Sequence, residues 1–224
     1  MTRVFWMGQV AKPPRAPDGF RFYLRIPGGP RPGEEGGSVL GEVHLSGSDE
    51  PARPYLGKDA WIALKGTVGL RRWQSEGDPV PLQNWFVQSG GIIPIGPPLA
   101  PGCQGRNWAS LAGRLVDEVR PCPGGCEFNL KVLWTSQSRT HPMWIPTTIY
   151  GEIGEKAKRQ LVKGRAVTVE GALHFGHGPI SRQPRLSLRG TDFWRGSACY
   201  DNPDEVAEPE RDDGDEGSGG LAPY

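Results

Sequence analysis

The 224-residue sequence has no run of apolar residues near the roughly 18 that a membrane-spanning helix needs. It also lacks an apolar leader, because Met1-Thr2-Arg3-Val4-Phe5-Trp6 enters a strand-like pattern at once; the expectation is a soluble, unexported, cytoplasmic chain. Cysteine is scarce, at Cys103, Cys122, Cys126 and Cys199 only. Cys122-Pro-Gly-Gly-Cys126 could be half of a zinc site, but no compact Cys or His pair completes four ligands, and a hairpin turn is the simpler expectation. His44, His141, His174 and His177 have no Ser, Asp or Cys partner at motif spacing. Gly28-Gly29 and Gly36-Gly37 lack the Lys-Ser/Thr of a phosphate-binding loop. The expectation is a non-enzyme without metal or cofactor. Net charge is nearly absent as well, 26 basic against 25 acidic side chains, which at first argues against a nucleic-acid partner.

Glycine and proline are abundant instead, 33 and 23 residues, a quarter of the chain. Without a Gly-x-y period they exclude collagen, and they disfavour helix interiors, so the chain is expected to be strands and turns. The 8 Trp, 7 Phe and 5 Tyr supply bulk for two small cores.

Two stretches repeat. Leu56-Gly-Lys58-Asp-Ala-Trp-Ile62-Ala-Leu64-Lys-Gly66-Thr-Val68 precedes by 105 positions Leu161-Val-Lys163-Gly-Arg-Ala-Val167-Thr-Val169-Glu-Gly171-Ala-Leu173. The same offset aligns Met7-Gly8-Gln9-Val10 with Ala112-Gly113-Arg114-Leu115, and one extra residue aligns Phe22 to Ile26 with Phe128 to Val132. The chain is a duplicated unit with its junction in Pro94 to Gly105. Alternating or β-branched segments at Arg21 to Ile26, Trp61 to Leu70, Glu127 to Thr135, Ala166 to His174 and Arg185 to Arg189 predict about five strands per unit. Glu152 to Val162 has helical spacing between the third and fourth strands of the second unit. That order is the OB-fold, a five-stranded Greek-key barrel that binds oligonucleotides or oligosaccharides. In the first unit the matching place, Asp49 to Tyr55, contains two prolines and is expected to form at most a short turn. The predicted fold class is all-β, two tandem OB-folds: residues 1–98 a divergent first domain, 106–196 the second, and 201–224 a disordered acidic tail.

The tail resolves the charge. Residues 201–224 hold nine acids and one base, a charge of −8, which leaves +9 on residues 1–200. The second unit carries +7 of that, so it is the expected phosphate-contacting surface. Sequence-tolerant binding of single strands combines a basic groove with aromatic faces on which bases stack. The second unit offers Trp134, Trp144, Tyr150 and Phe175 among Lys131, Arg139, His141, His174 and His177. Many tryptophans in small barrels are simply core. Trp144 lies near a strand start beside Pro146, and Trp73 follows Arg71-Arg72 at a hairpin edge, which favours a platform for both.

Those residues carry a resemblance. Asn107-Trp-Ala-Ser-Leu111-Ala-Gly113-Arg-Leu115, Phe128-Asn-Leu130-Lys-Val132 with Thr135-Ser136, Trp144 six residues before Tyr150-Gly151, and Leu161-Val-Lys163-Gly164 leading to Val167-Thr-Val169-Glu-Gly171-Ala-Leu173 resemble the bacterial single-stranded DNA-binding protein family. The resemblance covers about 85 residues. It implies that Trp144 and Tyr150 stack bases, and that Gly66-Thr-Val68-Gly-Leu-Arg71-Arg72-Trp73 gives Trp73 the family's hairpin stacking role. Arg139 and Gly178 stand where family members carry Trp, with Trp134, Phe175 and His177 nearby. Leu40 and Ser46 replace Trp144 and Tyr150 in the first unit, so the two units hold about one full set of platforms. The tail tip Leu221-Ala222-Pro223-Tyr224 is similar to the family's partner-recruiting tip, with Tyr for the usual Phe; an unselected solubilising tail is the plain alternative. The resemblance further implies single-stranded DNA as ligand, roles in replication, recombination and repair, a nucleoid-associated location, and a homodimer presenting four OB domains. An OB-fold adaptor of primosome type, with weak DNA binding, is the alternative function.

Overall fold

The computed structural model describes residues 2–14, 20–27, 38–73, 82–96, 105–136, 139–177 and 184–196. Among these described residues eleven strands are joined in one sheet: β1 (Thr2–Lys12), β2 (Arg21–Pro27), β3 (Ser38–His44), β4 (Trp61–Trp73), β5 (Leu82–Gly96), β6 (Arg106–Leu115), β7 (Arg120–Cys122), β8 (Gly125–Ser136), β9 (Arg139–Tyr150), β10 (Ala166–His177) and β11 (Pro184–Arg195). One α-helix, α1 (Gly151–Gln160), lies between β9 and β10, and a 3₁₀ helix (Gly47–Tyr55) lies between β3 and β4.

Each half closes on itself. In the first, β1 pairs with β2, β2 with β3, β3 in parallel with β5, β5 with β4, and β4 with β1. In the second, β6, β8, β9, β11 and β10 form the same ring, again with one parallel contact, Leu188 opposite Thr147. These are two OB-type barrels, as the strand patterns predict. The alternation behind them is plain in β1, which buries Val4, Trp6 and Val10 and turns Arg3, Phe5, Met7 and Gln9 outward. Trp6, Phe22, Leu24, Ile62 and Leu64 fill the first core; Leu111, Phe128, Leu130, Met143 and Ile145 fill the second.

The repeat has a structural cause at its glycines. A Cβ on Gly8 would meet Arg25 O, and one on its counterpart Gly113 would meet Lys131 O. The same holds for Gly66 against Gln88 O and Gly171 against Arg189 O, both at β-bulges. Neighbouring backbone occupies the space of a side chain at each closure of the barrel.

Several details differ from the sequence expectation. α1 ends at Gln160, because Leu161 breaks to extended backbone while its N–H still donates to Ala157 O at 2.8 Å. The proline-containing segment after β3 forms nine residues of 3₁₀ helix rather than at most a short turn. Ser46 starts it, donating from N (2.8 Å) and Oγ (2.7 Å) to Asp49 Oδ2, and Pro51 and Pro54 have a fixed φ that suits 3₁₀ geometry. β5 continues to Gly96, so the start of the expected junction is strand, while residues 97–104 lie outside the described ones. The Cys-x3-Cys segment forms the β7–β8 hairpin, with Cys122 opposite Gly125 and Cys126 opposite Pro121. Burial pushes the Cys126 thiol up to about 11, which keeps it protonated and inert. Among the described residues no group of three or more potential metal ligands forms, and no helix is long and apolar enough to cross a membrane.

The barrels are joined by β1 and β6, which pair antiparallel from Thr2 opposite Leu111 to Met7 opposite Arg106. Asn107 fastens this joint. Its Oδ1 accepts from Trp6 Nε1 and from Leu173 N, both at 3.1 Å, and its Nδ2 donates to Leu173 O at 2.7 Å.

Candidate nucleic-acid interface

The outer face of β8 and β9 gathers the central residues expected from sequence. β8 buries Phe128, Leu130 and Val132, which turns Lys131 and Leu133 outward; β9 buries Met143, Ile145, Thr147 and Ile149, which turns Trp144 and Tyr150 outward. Lys131 stands directly opposite Trp144. Trp144 and Tyr150 are 44% and 45% exposed, unusually open for aromatics in a closed barrel. Pro142 and Pro146 share this face of β9, and Tyr150 sits at the N-cap of α1.

Sequence reasoning missed Arg189. On β11 it lies beside Thr148 of β9 in the parallel pairing, and its guanidinium carbon is 5.0 Å from the Tyr150 ring centroid. The cation covers one face of the ring, which adds electrostatic attraction and positive charge next to a stacking surface. A signal existed, because Leu186 and Leu188 are the inward residues of that strand and period 2 then sends Arg185 and Arg189 outward.

Other expected residues lie elsewhere. Trp134 is half-buried at the end of β8, edge-on to Phe86 of the first barrel at 5.8 Å and tilted against His141 at the same distance. Phe175 packs edge-on against Trp6 at 5.5 Å. Both rings therefore bridge the two barrels. His174 occupies the alternate register of β10, opposite Ser187. Arg71 is exposed opposite Asn84. Arg72, Trp73 and Arg139 lie in strands, with Trp73 opposite Leu82 and Arg139 opposite Ser136; their side chains and the tail residues Leu221, Ala222, Pro223 and Tyr224 lie outside the described residues.

The matching face of the first barrel is built differently. Leu40, 45% exposed, stands opposite Arg25 as Trp144 stands opposite Lys131, and Ser46 caps the 3₁₀ helix as Tyr150 caps α1. The centre of this face is a buried carboxylate. Glu42 accepts from Tyr23 Oη at 3.0 Å and Asn84 Nδ2 at 2.7 Å, and pairs with His44 Nε2 at 2.6 Å. Burial pushes the Glu42 carboxyl up, but the bonds from His44, Asn84 and Tyr23 together outweigh it and hold its pKa below the ordinary value. The Tyr23 phenol is raised by burial and by the nearby Glu42 charge. His44 stacks on Phe86 at 3.8 Å, and Lys12 lies 5.2 Å from the Tyr23 ring. On this face the open aromatics Trp144 and Tyr150 belong to the second barrel, while a hydrogen-bonded anion occupies the first, whose exposed aromatics Phe20 and Tyr55 lie outside its strands.

No family model matches this sequence, and none of the curated proteins matches it. Solved structures do. The wild-type single-stranded DNA binding protein of Thermus aquaticus is similar over 89% of this chain and 95% of its own, with a TM-score of 0.62 and 21% identity. A deletion mutant of that protein matches over 92% and 98%, with a TM-score of 0.64 and 21% identity. The likeness spans both barrels and establishes the fold.

Proposed function

We propose that this protein binds single-stranded DNA without sequence preference and coats exposed strands during replication, recombination and repair. The observation that supports this most directly is the Lys131–Trp144 pair, continued by Tyr150 under Arg189, on the outer face of an OB barrel. Every base has a π-face, so stacking on Trp144 and Tyr150 tolerates any sequence, while Lys131 and Arg189 meet the phosphates. In this reading residues 1–98 and 106–196 are two OB domains, and a homodimer presents four. Trp73 with Arg71 and Arg72 adds a platform from the first domain, and Trp134, Phe175, Arg139 and His174 border the path. The acidic tail recruits partner enzymes through Leu221 to Tyr224, an apolar stretch beside acidic residues that suits a pocket with apolar and basic groups. No catalytic group takes part, and the protein acts in the cytoplasm on the nucleoid.

Titration of the intrinsic Trp fluorescence with oligo(dT), with light scattering of the free protein, tests this. Strong quenching that saturates at a defined length on a dimer is expected; unchanged fluorescence and no affinity for single strands overturn it. The buried Glu42 on the first barrel favours a second reading, an OB adaptor that uses that face for protein contacts. Comparing affinities for a single strand, a duplex and a partner protein separates the two.

A further inference from the structure

The outward row that holds Lys131 and Trp144 does not stop at β8. Arg114 of β6 pairs with Lys131, and Ala166 of β10 pairs with Arg114, so Ala166, Arg114, Lys131 and Trp144 form one line across four neighbouring strands. Arg114 and Ala166 are exposed, because the inward positions beside them are the buried Leu115 and Val167. The turn that leads into β10 is clamped to the end of β6, with Gly164 N donating to Leu115 O at 2.9 Å and Leu115 N donating to Arg165 O at 3.0 Å. This places Lys163 and Arg165 alongside Arg114, with Arg195 close by opposite Val167.

The first barrel has the same register with half of the cations: Arg25 and Lys58 stand where the second has Lys131 and Lys163, but Gln9 and Ala60 replace Arg114 and Arg165. Its row runs Trp61, Gln9, Arg25, Leu40. The two barrels thus share a backbone frame, and only the second carries an unbroken basic line on it. With about 4.8 Å between strands, Arg114 lies roughly 10 Å from Trp144, measured across the sheet.

We propose that this line is a track for the phosphodiester backbone. The bound strand leaves the Trp144 platform over Lys131 and Arg114 and reaches the turn bearing Lys163 and Arg165. The track rests on the single-strand binding proposed above and extends it, because it sends the strand around the side of the second barrel rather than along its aromatic face alone. A base stacked on Trp144 sets its phosphate beside Lys131, and Arg114 is the next cation one strand further on.

The double variant R114Q/R165A tests the track in the full-length protein, and it folds safely because Gln9 and Ala60 already occupy these positions in the first barrel. Affinity is measured against salt for the dinucleotide d(TpT), whose single phosphate beside Lys131 cannot also reach Arg114, and for oligo(dT) of about 35 nucleotides, beyond a typical OB site. For the long oligomer the variant is expected to lose roughly tenfold in affinity, and its salt slope to shrink by about 1.4, two phosphate contacts at about 0.7 each. Affinity for the dinucleotide should stay within about twofold, since stacking on Trp144 carries it. An unchanged salt slope for the long oligomer, or equal losses at both lengths, overturns the track while leaving single-strand binding in place. A wild-type protein that binds neither oligomer overturns single-strand binding itself and the track with it.

Discussion

Val4 pairs with Ala109, its own counterpart in the repeat, so the joint between the barrels is centred on a local two-fold relation. Phe5 opposite Trp108 and Arg3 opposite Ser110 run outward from that point in both directions. The joint extends backbone pairing from one core into the other, and Leu111, fully buried, is paired on one side with Thr2 and on the other with Val169. The two barrels should therefore unfold together. Leu111→Ala is expected to cost about 2 to 5 kcal/mol and to move a single denaturation transition, followed by Trp fluorescence in guanidinium. A curve that splits into two transitions would mean that the barrels are independent.

The repeated glycines should be intolerant in a position-specific way. A Cβ on Gly171 meets Arg189 O and the Gly190 backbone at the β10 bulge, where neither neighbour can yield cheaply. Gly171→Ala should cost roughly 1 to 3 kcal/mol of stability. Gly57→Ala, where nothing lies within 4 Å, should stay within about 0.5 kcal/mol. Urea midpoints of the two variants against wild type give the comparison.

These same glycines made much of the fold legible in the sequence. They recur because backbone closure needs them, so the repeat reported barrel geometry directly, and period-2 burial supplied the strands. Tyr150 ends β9, but Trp144 lies in the middle of that strand rather than near its start as the turn-like Arg139 to Pro142 suggested; what made it legible was its alternation with the inward Met143 and Ile145. Trp134 and Phe175 were not, because whether a ring at a hairpin end faces solvent or a second barrel depends on the β1–β6 joint, a contact between residues about a hundred positions apart. Arg189 escaped notice because its partner ring belongs to a parallel neighbour rather than to its own hairpin. The Glu42 cluster was hidden for a similar reason, since Tyr23, His44 and Asn84 come from three strands.

That cluster predicts a pH dependence of stability. The folded Glu42 carboxyl has a pKa below its ordinary 4.5, so its contribution is complete above that value and is lost as pH falls through the folded value. Tyr23 has the opposite sign: its folded pKa is raised above 10.0, so its contribution is present below 10.0 and is lost as pH rises through the folded value. Glu42→Gln should lower stability at neutral pH and flatten the acid limb below pH 4.5. Urea midpoints collected across that limb check it, and an acid limb as steep as that of wild type would remove Glu42 as its source.

The two faces also predict how binding can be moved within the chain. Trp144→Ala removes the most open aromatic beside Lys131 and should weaken oligo(dT) binding by roughly 1 to 3 kcal/mol while leaving the urea midpoint nearly unchanged, because the ring is already 44% exposed. Leu40→Trp places the same ring opposite Arg25, at the matching register of the first barrel, where a cation already waits and the native Leu40 is itself 45% exposed. It should gain roughly 1 kcal/mol in affinity for long oligomers and add a quenchable fluorophore. The gain should be smaller than the loss at Trp144, because the buried Glu42 anion on the same outward side of β3 opposes the phosphates on either side of the new platform. Combining Leu40→Trp with Glu42→Gln should then raise affinity beyond the single change, and a double variant that binds no better would show that charge at Glu42 does not limit the first barrel.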